Sequence, residues 1–516
     1  FGSRPDPLAD TVALQASMVG NTKIVATAKN TKVVATAKPL ALAVALIYLL
    51  RKYYLRCFPR PTGAPFVEGH WLAGVLFEVL KCISNHTLPE WWVKQHSKYG
   101  KTCVACLPGQ PKVVNTVDPL NVEHILKTRF DNYIKGKWFS DRLTDLLGNG
   151  IFNVDGAAWH SQRKTAAPMF SNDQFKNHIW QVIGANCARV SQILRDVSKG
   201  ETVDLFNLMN RFTLDTIGSV GFARDIGSLD NAESPFLKSF DRAQQISVIR
   251  FMLPLWRIRR LFRIGEEGEA RHHFQLLSEY SLETVRMLKD DSSGGSFVGL
   301  FIQQAKKTGE QVSDEFLKDM VLNFLIAGRD TTAQSLSWIF WLVMGHPNVE
   351  AKILQEINDV LGKEPVTYSN TAKLKYLQNV INEGLRLYPS VPADSKICVQ
   401  DDHLPDGTFI PAGVVVQFHP YAMGRSKDIW GEDASDFKPE RWEGRDFPSS
   451  FVYPVFNAGP RECLGKRLAW VEMRACLAEV FRAVRFELAV PRDSIKPDTQ
   501  LTIGMSSGLP CRVFPR

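Results

Sequence analysis

One long helical pattern constrains the fold more than any other part of the sequence. Ser313 is suited to cap its N-terminus, and Asp314 and Glu315 lie in the first turn, where acidic side chains favour a helix start. The pattern continues to about residue 344, where Gly345 and Pro347 stop it. Such a helix has about 32 residues and a length of roughly 48 Å, so it is expected to cross a whole domain.

The middle of this helix contains Ala327, Gly328, Asp330 and Thr331. A glycine inside a helix costs about 1 kcal/mol relative to alanine, so Gly328 indicates that something close to the helix needs the space, as a planar cofactor would. Thr331 can bond the Ala327 carbonyl and loosen the helix locally. An acid and an alcohol beside this gap, Asp330 and Thr331, can relay protons. The alternative is a glycine that serves helix packing beside an ordinary helical threonine.

A second constraint is the stretch FNAGPRECLG, which surrounds Cys463 and precedes a helical pattern. A thiolate that binds a metal needs positive potential and hydrogen-bond donors, and a helix N-terminus supplies both. Gly459 and Gly465 permit a tight backbone path, and Phe456 can cover the sulfur. Arg461 offers a guanidinium for a carboxylate. These features meet the demands of an axial cysteine ligand to haem iron, with Arg461 on a haem propionate. A buried structural thiol is the alternative.

The Cys463 stretch resembles the haem-binding loop of the cytochrome P-450 family, the haem-thiolate monooxygenases. Trp159 and Arg163, at i and i+4, are similar to the family's W-x-x-x-R pair, and residues 327–332 (AGRDTT) are similar to its oxygen-activation motif. The resemblance implies haem b on Cys463, and a catalytic role in proton delivery for Asp330 and Thr331. It assigns cofactor binding to Trp159, Arg163, Phe456, Arg461, Cys463 and Gly465, with Lys396 as a weaker candidate for a propionate contact.

A charged set on another predicted helix has a structural interpretation. Glu383 and Arg386 lie at i and i+3 among apolar residues, so they are expected to be half-buried and paired. Arg441, in the PERW stretch, is positioned to complete the set. In the family such an E-x-x-R plus arginine network braces the haem loop and is not catalytic.

The fold expected from these patterns is mainly α with small β-sheets (α+β), the cytochrome P-450 fold, with short strands near residues 102–115 and 396–418. The domain boundaries predicted are a leader at 1–38, a membrane anchor helix at 39–56, a Pro-rich hinge at 57–65 and a single domain at 66–516. The apolar run at 39–50 is shorter than the roughly 17–25 residues of a membrane span, so a buried or interfacial helix is the alternative.

The basic flank RKYYLRCFPR places the main domain on the cytoplasmic side of an anchored protein. A single-pass location in the endoplasmic reticulum membrane is therefore expected. A leader with few acids leaves a plastid or another organelle as the alternative. The net charge of +8 is mild and gives no concentrated nucleic-acid footprint, so it favours anionic lipid and acidic partners. The basic, aromatic stretch at 250–263 suits a membrane surface, with a solvated basic face as the alternative.

Several phrases narrow the resemblance: FDNYIKG, AGRDTTAQSLSW, DDHLPDGT and YAMGR. They resemble the plant and fungal branch that hydroxylates fatty acids and alkanes, often at the terminal methyl. The function expected is an NADPH-dependent haem-thiolate monooxygenase that hydroxylates long-chain fatty acids or alkanes at the omega position. The sequence has no glycine-rich dinucleotide fingerprint or flavin-binding unit, so O₂ reduction would use electrons from a separate flavin-containing NADPH-cytochrome P-450 reductase.

Two other functions fit parts of the same pattern. The first is a haem-thiolate enzyme that isomerises or dehydrates hydroperoxides without a reductase, and the Asp330–Thr331 pair argues against it. The second is a non-enzymatic haem-binding sensor, which would have no use for a proton relay. Consumption of NADPH on addition of substrate and a reductase separates both from a monooxygenase.

Overall fold

A computed structural model describes residues 44–49, 59–170, 178–197, 199–231, 235–253, 255–290, 296–309 and 312–516. The chain forms two compact units, residues 1–58 and 59–516. In the first unit the structure describes residues 44–49, which are helical. The predicted leader and the rest of the predicted anchor lie outside the described residues. Within those residues no helix is both long and apolar enough to cross a membrane.

The second unit is mostly helical. Its α-helices are α1 (Leu76–Ser84), α2 (Leu88–Tyr99), α3 (Pro119–Glu123), α4 (Gly136–Leu147), α5 (Gly156–Ala166), α6 (Trp180–Asp196), α7 (Leu205–Phe222), α8 (Pro235–Met252), α9 (Trp256–Phe262), α10 (Glu267–Asp290), α11 (Phe297–Thr308), α12 (Asp314–Met344), α13 (Pro347–Leu361), α14 (Tyr368–Thr371), α15 (Lys375–Leu387), α16 (Pro420–Met423), α17 (Lys427–Trp430) and α18 (Lys466–Ala483).

Short strands form four small sheets. The strands are β1 (Thr102–Ala105), β2 (Val113–Thr116), β3 (Tyr133–Ile134), β4 (Thr202–Asp204), β5 (Asp394–Cys398), β6 (Asp402–His403), β7 (Phe409–Ile410), β8 (Val415–Phe418), β9 (Val484–Leu488), β10 (Pro497–Thr499), β11 (Ile503–Met505) and β12 (Pro510–Pro515). The largest sheet has the order β1-β2-β8-β5-β3, in which β2 and β8 are parallel and the other pairs antiparallel. The remaining sheets are β4-β12-β9, β10-β11 and β6-β7.

Helix α12 is the predicted long helix and forms the centre of the core. Ser313 caps it, because its hydroxyl oxygen accepts a hydrogen bond from the Phe316 N–H at 3.2 Å. The helix has 31 residues and ends at Met344, so its predicted start and end are confirmed. Helices α7, α10, α15 and α18 all contact it, which explains why apolar residues occur on every side of α12.

The mainly helical fold with small sheets is confirmed. Strands β1 and β2 match the predicted segment near 102–115, and β5 and β8 match the one near 396–418. The C-terminal strands and the two-residue strand β3 were not predicted. They are too short to show a clear alternation of apolar and polar residues, which is the signal for a half-buried strand.

The described part of the predicted hinge is built into the second unit. Thr62 and Phe409 exchange backbone hydrogen bonds, with N–O distances of 3.4 and 2.9 Å. The Val104 N–H donates to the Pro65 carbonyl at 2.8 Å. Residues 59–65 therefore lie against β7 and β1 as part of the domain, and only residues 57–58 of the predicted hinge lie outside the described part.

The predicted basic surface at 250–263 is largely neutralised by ion pairs. Arg250 is buried and forms ion pairs with Glu267 and Asp145. The exposed side chains of the same segment are mainly apolar. These are Leu255, Ile258, Leu261 and Phe262. Arginines 257, 259 and 260 also pair with carboxylates, so the segment offers an apolar surface with partnered cations rather than a free basic face.

Candidate active site

An interior cavity of about 370 Å³ lies between α12 and the segment that leads into α18. Its wall is mostly apolar and draws on α4, α5, α7, α12 and α18 together with the turn at 501–502. Seven of the residues predicted to form the site line this cavity: Trp159, Arg163, Thr331, Phe456, Arg461, Cys463 and Gly465. The fold thus brings together side chains that are up to 306 positions apart in the sequence.

Cys463 presents its sulfur to the cavity. Cys463 lies inside the protein, and its side chain is accessible because it lines the cavity. The Cys463 N–H donates to the Phe456 carbonyl at 2.8 Å, which fixes the loop two residues before the N-cap Gly465 of α18. Burial raises the pKa of the Cys463 thiol, while the Gly465 N–H and the Arg163 guanidinium lower it.

The two glycines of this loop have different roles. Gly459 has a φ of +63°, and a Cβ there would lie 2.2 Å from the Leu126 carbonyl oxygen, so the position requires glycine. Gly465 has a φ of −82°, and the nearest atom to an added Cβ would be the Cys463 sulfur at 3.8 Å. The expectation that Gly465 is needed for the backbone path is therefore wrong, because its φ is one that other residues adopt. The space that a side chain would fill here lies beside the sulfur.

The aromatic and guanidinium groups predicted to bind an anion meet at one side of the cavity. The Arg461 guanidinium lies 4.6 Å from the centre of the Trp159 ring and donates to Asp155 Oδ1 at 2.7 Å. Arg163 donates one hydrogen bond, to the Glu462 carbonyl at 2.7 Å. Within the described part of the chain, the Trp159 indole N–H has no acceptor. The indole and the Arg163 guanidinium therefore keep donors for a ligand in the cavity.

Lys396 does not line the cavity, which contradicts its prediction as a propionate contact. Its side chain is 1% exposed and its Nζ donates to Asp394 Oδ2 at 2.9 Å. Lys135, which sequence reasoning missed, lines the cavity and donates to Asp394 Oδ1 at 2.5 Å. Asp394 itself lines the cavity, and its two carboxylate oxygens accept from different lysines, of which Lys135 also lines the cavity and Lys396 does not. The available signal for Lys135 was its place in the FDNYIKG phrase.

Cations outnumber carboxylates in the cluster of charged side chains around Asp394 and Arg461. Burial lowers the pKa of Lys396 to about 7, although Asp394 opposes the shift. The two lysines hold the pKa of Asp394 far below its usual value, against the effect of burial. The cations of the cluster are Lys135, Arg163, Lys396 and Arg461, and the carboxylates are Asp155 and Asp394. With every group charged, the cluster has an excess of two positive charges.

The predicted catalytic pair is divided by the structure. Thr331 lines the cavity, and its hydroxyl donates to the Ala327 carbonyl at 2.6 Å, as predicted. Asp330 is 2% exposed, is not part of the cavity wall, and pairs with Arg329 at 2.8 Å. Arg329 also pairs with Asp241 at 2.6 Å. Burial raises the pKa of Asp330 to about 6, while the Arg329 guanidinium lowers it. In this geometry Asp330 does not reach the cavity beside Thr331.

Gly328 makes room for a crossing helix. A Cβ at this position would lie 2.5 Å from Cγ1 and 2.6 Å from Cδ1 of Ile217 on α7. Ile217, and not a cofactor, therefore occupies the space that Gly328 leaves. The alternative, a glycine that serves helix packing, describes this contact. Gly328 still forms part of the cavity wall, because the crossing of α7 and α12 lies at its edge.

The predicted structural network is present and is more deeply buried than expected. Glu383 and Arg386 are 0% exposed, and the distances from Arg386 Nε and Nη2 to the Glu383 oxygens are both 2.8 Å. Arg441 Nε lies 3.2 Å from Glu383 Oε1, and the Trp442 indole donates to Oε2 at 3.0 Å. None of these residues lines the cavity. Their position agrees with a bracing role.

One further acid in the cavity wall was missed by sequence reasoning. Glu472 lies on α18, on the same face as the cavity-lining residues Leu468 and Ala469. It is 2% exposed, and its Oε1 accepts no hydrogen bond within the described residues. The available signal was an acid at i+4 from Leu468, within the apolar stripe of a helix.

The cavity has a sulfur at the start of a helix, an apolar wall and spare anion donors. Together these features define a pocket of the haem-thiolate class. The family model described as "Cytochrome P450" matches residues 64–509, and the chain belongs to this family. Its members are monooxygenases, so the protein is an oxidoreductase of this type.

Curated relatives match over most of their length. Cytochrome P450 CYP94D108 of Paris polyphylla is 35% identical over 92% of this chain and 97% of its own. Cytochrome P450 704C1 of Pinus taeda is 38% identical over 88% of this chain and 95% of its own. Cytochrome P450 86B1 of Arabidopsis thaliana is 36% identical over 78% of this chain and 77% of its own.

The residues present fit the haem that the family implies. A thiol open to the cavity provides a candidate iron ligand, and a metal ion favours its deprotonation despite the effect of burial on its pKa. The free donors of Trp159 and Arg163 suit carboxylates. The excess of two positive charges in the adjoining cluster complements the two propionates of one haem.

Proposed function

We propose that this protein is an NADPH-dependent haem-thiolate monooxygenase that hydroxylates long-chain fatty acids or alkanes at the omega position. The observation that carries the proposal is the Cys463 sulfur, which faces the same apolar cavity as Thr331. Haem bound by a thiolate supplies the activation of O₂ and the transfer of one oxygen atom to an unactivated C–H bond.

Each residue of the cavity wall has a role in this proposal. Cys463 would bind the haem iron, and Phe456 and Gly465 line the cavity with it. Trp159, Arg163 and Arg461 would hold the propionates, supported by their donor groups at one side of the cavity. Lys135 replaces Lys396 as the lysine next to this position. Thr331 orients water in the cavity through its hydroxyl, which its bond to a helix carbonyl fixes.

The substrate class is supported by the apolar lining and by the phrases that resemble fatty-acid and alkane hydroxylases. An apolar wall favours an extended hydrocarbon chain over a polar ligand. Electrons from NADPH through the flavins of a separate reductase are part of the proposal. Membrane attachment on the cytoplasmic face of the endoplasmic reticulum, through residues 39–56 and the exposed apolar side chains of α9, is part of the proposal.

The first test is a carbon monoxide difference spectrum of the reduced protein, followed by titration of the oxidised protein with a long-chain fatty acid. We expect the strongly red-shifted Soret band of a thiolate-bound ferrous haem. The fatty acid should change the spin state from low to high, because it displaces water from the cavity. Product analysis with a reductase and NADPH should then give the omega-hydroxy acid.

Cys463→Ser and Cys82→Ser form a matched pair for this test. Cys82 lies on α1 and does not line the cavity, so its variant should give the wild-type spectrum. Cys463→Ser should lose the red-shifted band. A red-shifted band that persists in Cys463→Ser would contradict the ligand assignment. A normal band with no fatty-acid response would leave the enzyme class and contradict the substrate.

One observation favours a second candidate, a haem-thiolate enzyme that isomerises or dehydrates hydroperoxides. The acid–alcohol pair was the argument against it, and Asp330 lies outside the cavity wall. Such an enzyme would turn over a fatty-acid hydroperoxide without NADPH or a reductase. Turnover that requires both contradicts this candidate.

A further inference from the structure

Arg142 is a buried guanidinium on α4. It is 8% exposed, and it forms no ion pair with a carboxylate of the described residues. The neighbouring Arg250, which is also buried, pairs with both Glu267 and Asp145. A buried charge is costly unless it is paired, so the positive charge of Arg142 favours an anion from outside the chain.

The hydrogen bonds of Arg142 go to neutral oxygens. Nε donates to the Arg250 carbonyl at 3.1 Å, Nη2 donates to Gln110 Oε1 at 3.2 Å, and Nη1 donates to the Trp138 carbonyl. A guanidinium has five N–H donors, so this group is only partly used. Burial lowers the pKa of Arg142 to about 10, and the group therefore remains charged at neutral pH.

An indole N–H lies beside this guanidinium. The Trp138 Nε1 atom is buried, and among the described residues it has no hydrogen-bond acceptor. The Trp138 ring centre lies 4.8 Å from Arg142 Cζ and 5.2 Å from the Phe251 ring centre. A cation with unused donors next to a spare N–H suits a carboxylate. Asp141, the preceding residue of α4, does not fill this role because it pairs with the exposed Arg257.

The two donors lie behind the α4 wall of the cavity. Phe139 and Leu143 of α4, which flank Arg142 in the sequence, line the cavity. The Phe251 ring centre lies 5.7 Å from the Phe139 ring centre and 5.4 Å from Arg142 Cζ, so this ring lies against both the wall and the guanidinium. The side chains between the cavity and Arg142 are therefore apolar and suit a hydrocarbon chain.

We propose that Arg142 and the Trp138 indole bind the carboxylate of a fatty-acid substrate whose hydrocarbon chain extends past Phe139 into the cavity. This rests on the proposed function and chooses between its two substrate classes, because an alkane has no group to place at a buried cation. The carboxylate supplies the counter-charge, and the apolar cavity receives the chain. Recognition of one end of the substrate also fixes how far the other end reaches towards Cys463.

The direct test is isothermal titration calorimetry of the haem-loaded protein at pH 7.5 with dodecanoate and with dodecanol. The two ligands share a hydrocarbon chain and differ in the charge of the head group. Arg142→Gln should weaken dodecanoate binding about tenfold, because a charged hydrogen-bond donor is lost, and should leave dodecanol binding unchanged. Equal changes for the two ligands, or an unchanged affinity for dodecanoate, overturn the proposal.

Arg260→Gln is the matched control, because it removes the same charge from the neighbouring helix α9. Arg260 has a side chain that is 49% exposed and pairs with Asp145. This variant should keep the wild-type affinity for both ligands. A loss of dodecanoate affinity as large as that in Arg142→Gln would indicate a general attraction of anions and overturns the site.

Gln110→Glu tests the site with Arg142 in place and covers the case in which Arg142→Gln does not fold. Gln110 Oε1 lies 3.2 Å from Arg142 Nη2, so a carboxylate at this position supplies the counter-charge from within the chain. Dodecanoate binding should weaken about tenfold, and dodecanol binding should stay the same. Trp138→Phe keeps an aromatic ring, removes the N–H and should weaken dodecanoate binding several-fold. Unchanged dodecanoate affinity in either variant overturns the proposal.

Failure of the proposed function gives a different result. The calorimetric affinities need no reductase, NADPH or turnover, so they test the carboxylate site independently of product formation. Absence of hydroxylated product from a protein with these affinities contradicts the proposed function and leaves the site. Hydroxylated product from a protein without them leaves the function and overturns the site.

Discussion

Single residues of the loop around Cys463 are constrained by backbone geometry as much as by chemistry. Gly459 combines a positive φ with a close approach to the Leu126 carbonyl, whereas Gly465 has neither. The fold therefore requires glycine at the first position, whereas at the second an added Cβ would make ordinary contacts, the nearest with the Cys463 sulfur at 3.8 Å. The sequence alone presents both glycines as equivalent members of one motif.

Gly459→Ala is expected to destabilise the protein by more than the cost of a positive φ alone. An alanine at a positive φ costs about 1–2 kcal/mol, and the added Cβ would also overlap the Leu126 carbonyl oxygen. Gly444→Ala is the matched control, because its φ is +64° and no atom lies within 4 Å of an added Cβ. Thermal unfolding of both variants measures the difference. Equal losses in the two variants would contradict the overlap.

At the scale of elements, the crossing of α7 and α12 determines the position of the catalytic segment. Ile217 fits against Gly328, and the Thr213 hydroxyl donates to the Arg329 carbonyl at 2.9 Å. The two helices therefore approach more closely than side chains would allow elsewhere. Gly328 serves this approach, which explains why a residue of low helix propensity lies in the middle of the longest helix.

A double-mutant cycle on this crossing tests the packing role of Gly328. Gly328→Ala should lower the free energy of unfolding by about 1–2 kcal/mol, since overpacking outweighs the gain in helix propensity. Ile217→Ala should cost about 2–4 kcal/mol through the cavity it creates. In the double variant the new methyl occupies part of that cavity, so the loss should be about 1–2 kcal/mol smaller than the sum. Additive losses, measured by denaturant unfolding, would contradict the contact.

Sequence reasoning succeeded where one element contains the whole signal. The cap, the length and the stop signals of α12 are local, and Trp159 and Arg163 share a face because they are four residues apart on α5. Asp330 and Thr331 show the limit. Neighbours in a helix point about 100° apart, so two residues that are adjacent in sequence face different surroundings. Glu472 and Lys135 were missed because their role depends on contacts between elements far apart in sequence.

At the scale of the whole molecule, buried polar networks tie the helices to the sheets. Arg386 donates to the backbone carbonyls of Ala434 and Asp436 as well as to Glu383. Another example is His96 at the end of α2, which lies 5.5 Å from His419 next to the largest sheet. Both imidazoles are buried, so their neutral forms are favoured in the folded protein.

The buried imidazole of His96 makes stability depend on pH. Burial lowers the pKa of His96 to about 4, below the value of about 6.5 in the unfolded chain. The unfolded state therefore binds more protons as the pH falls below about 6.5, and the free energy of unfolding decreases. The loss from His96 alone should be about 1 kcal/mol at pH 5.5 relative to pH 7.5.

Comparison of His96→Phe with His272→Phe isolates this contribution. His272 is exposed on α10, so its variant should keep the pH dependence of the wild-type protein. His96→Phe should remove about 1 kcal/mol of the loss between pH 7.5 and 5.5. Unfolding by urea at both pH values measures the change. Identical pH dependence of the two variants would contradict the assignment.

The excess of cations near the cavity has a consequence for how the cofactor is acquired. Burial lowers the pKa of Lys396 to about 7, so this lysine can change its protonation state near neutral pH. Two propionates that enter the neighbouring cluster favour the charged form of this lysine. Acquisition of haem is therefore expected to favour protonation of Lys396, which opposes the release of a proton from the Cys463 thiol when it binds a metal. The loaded pocket is thus expected to keep this lysine charged although Lys396 does not line the cavity.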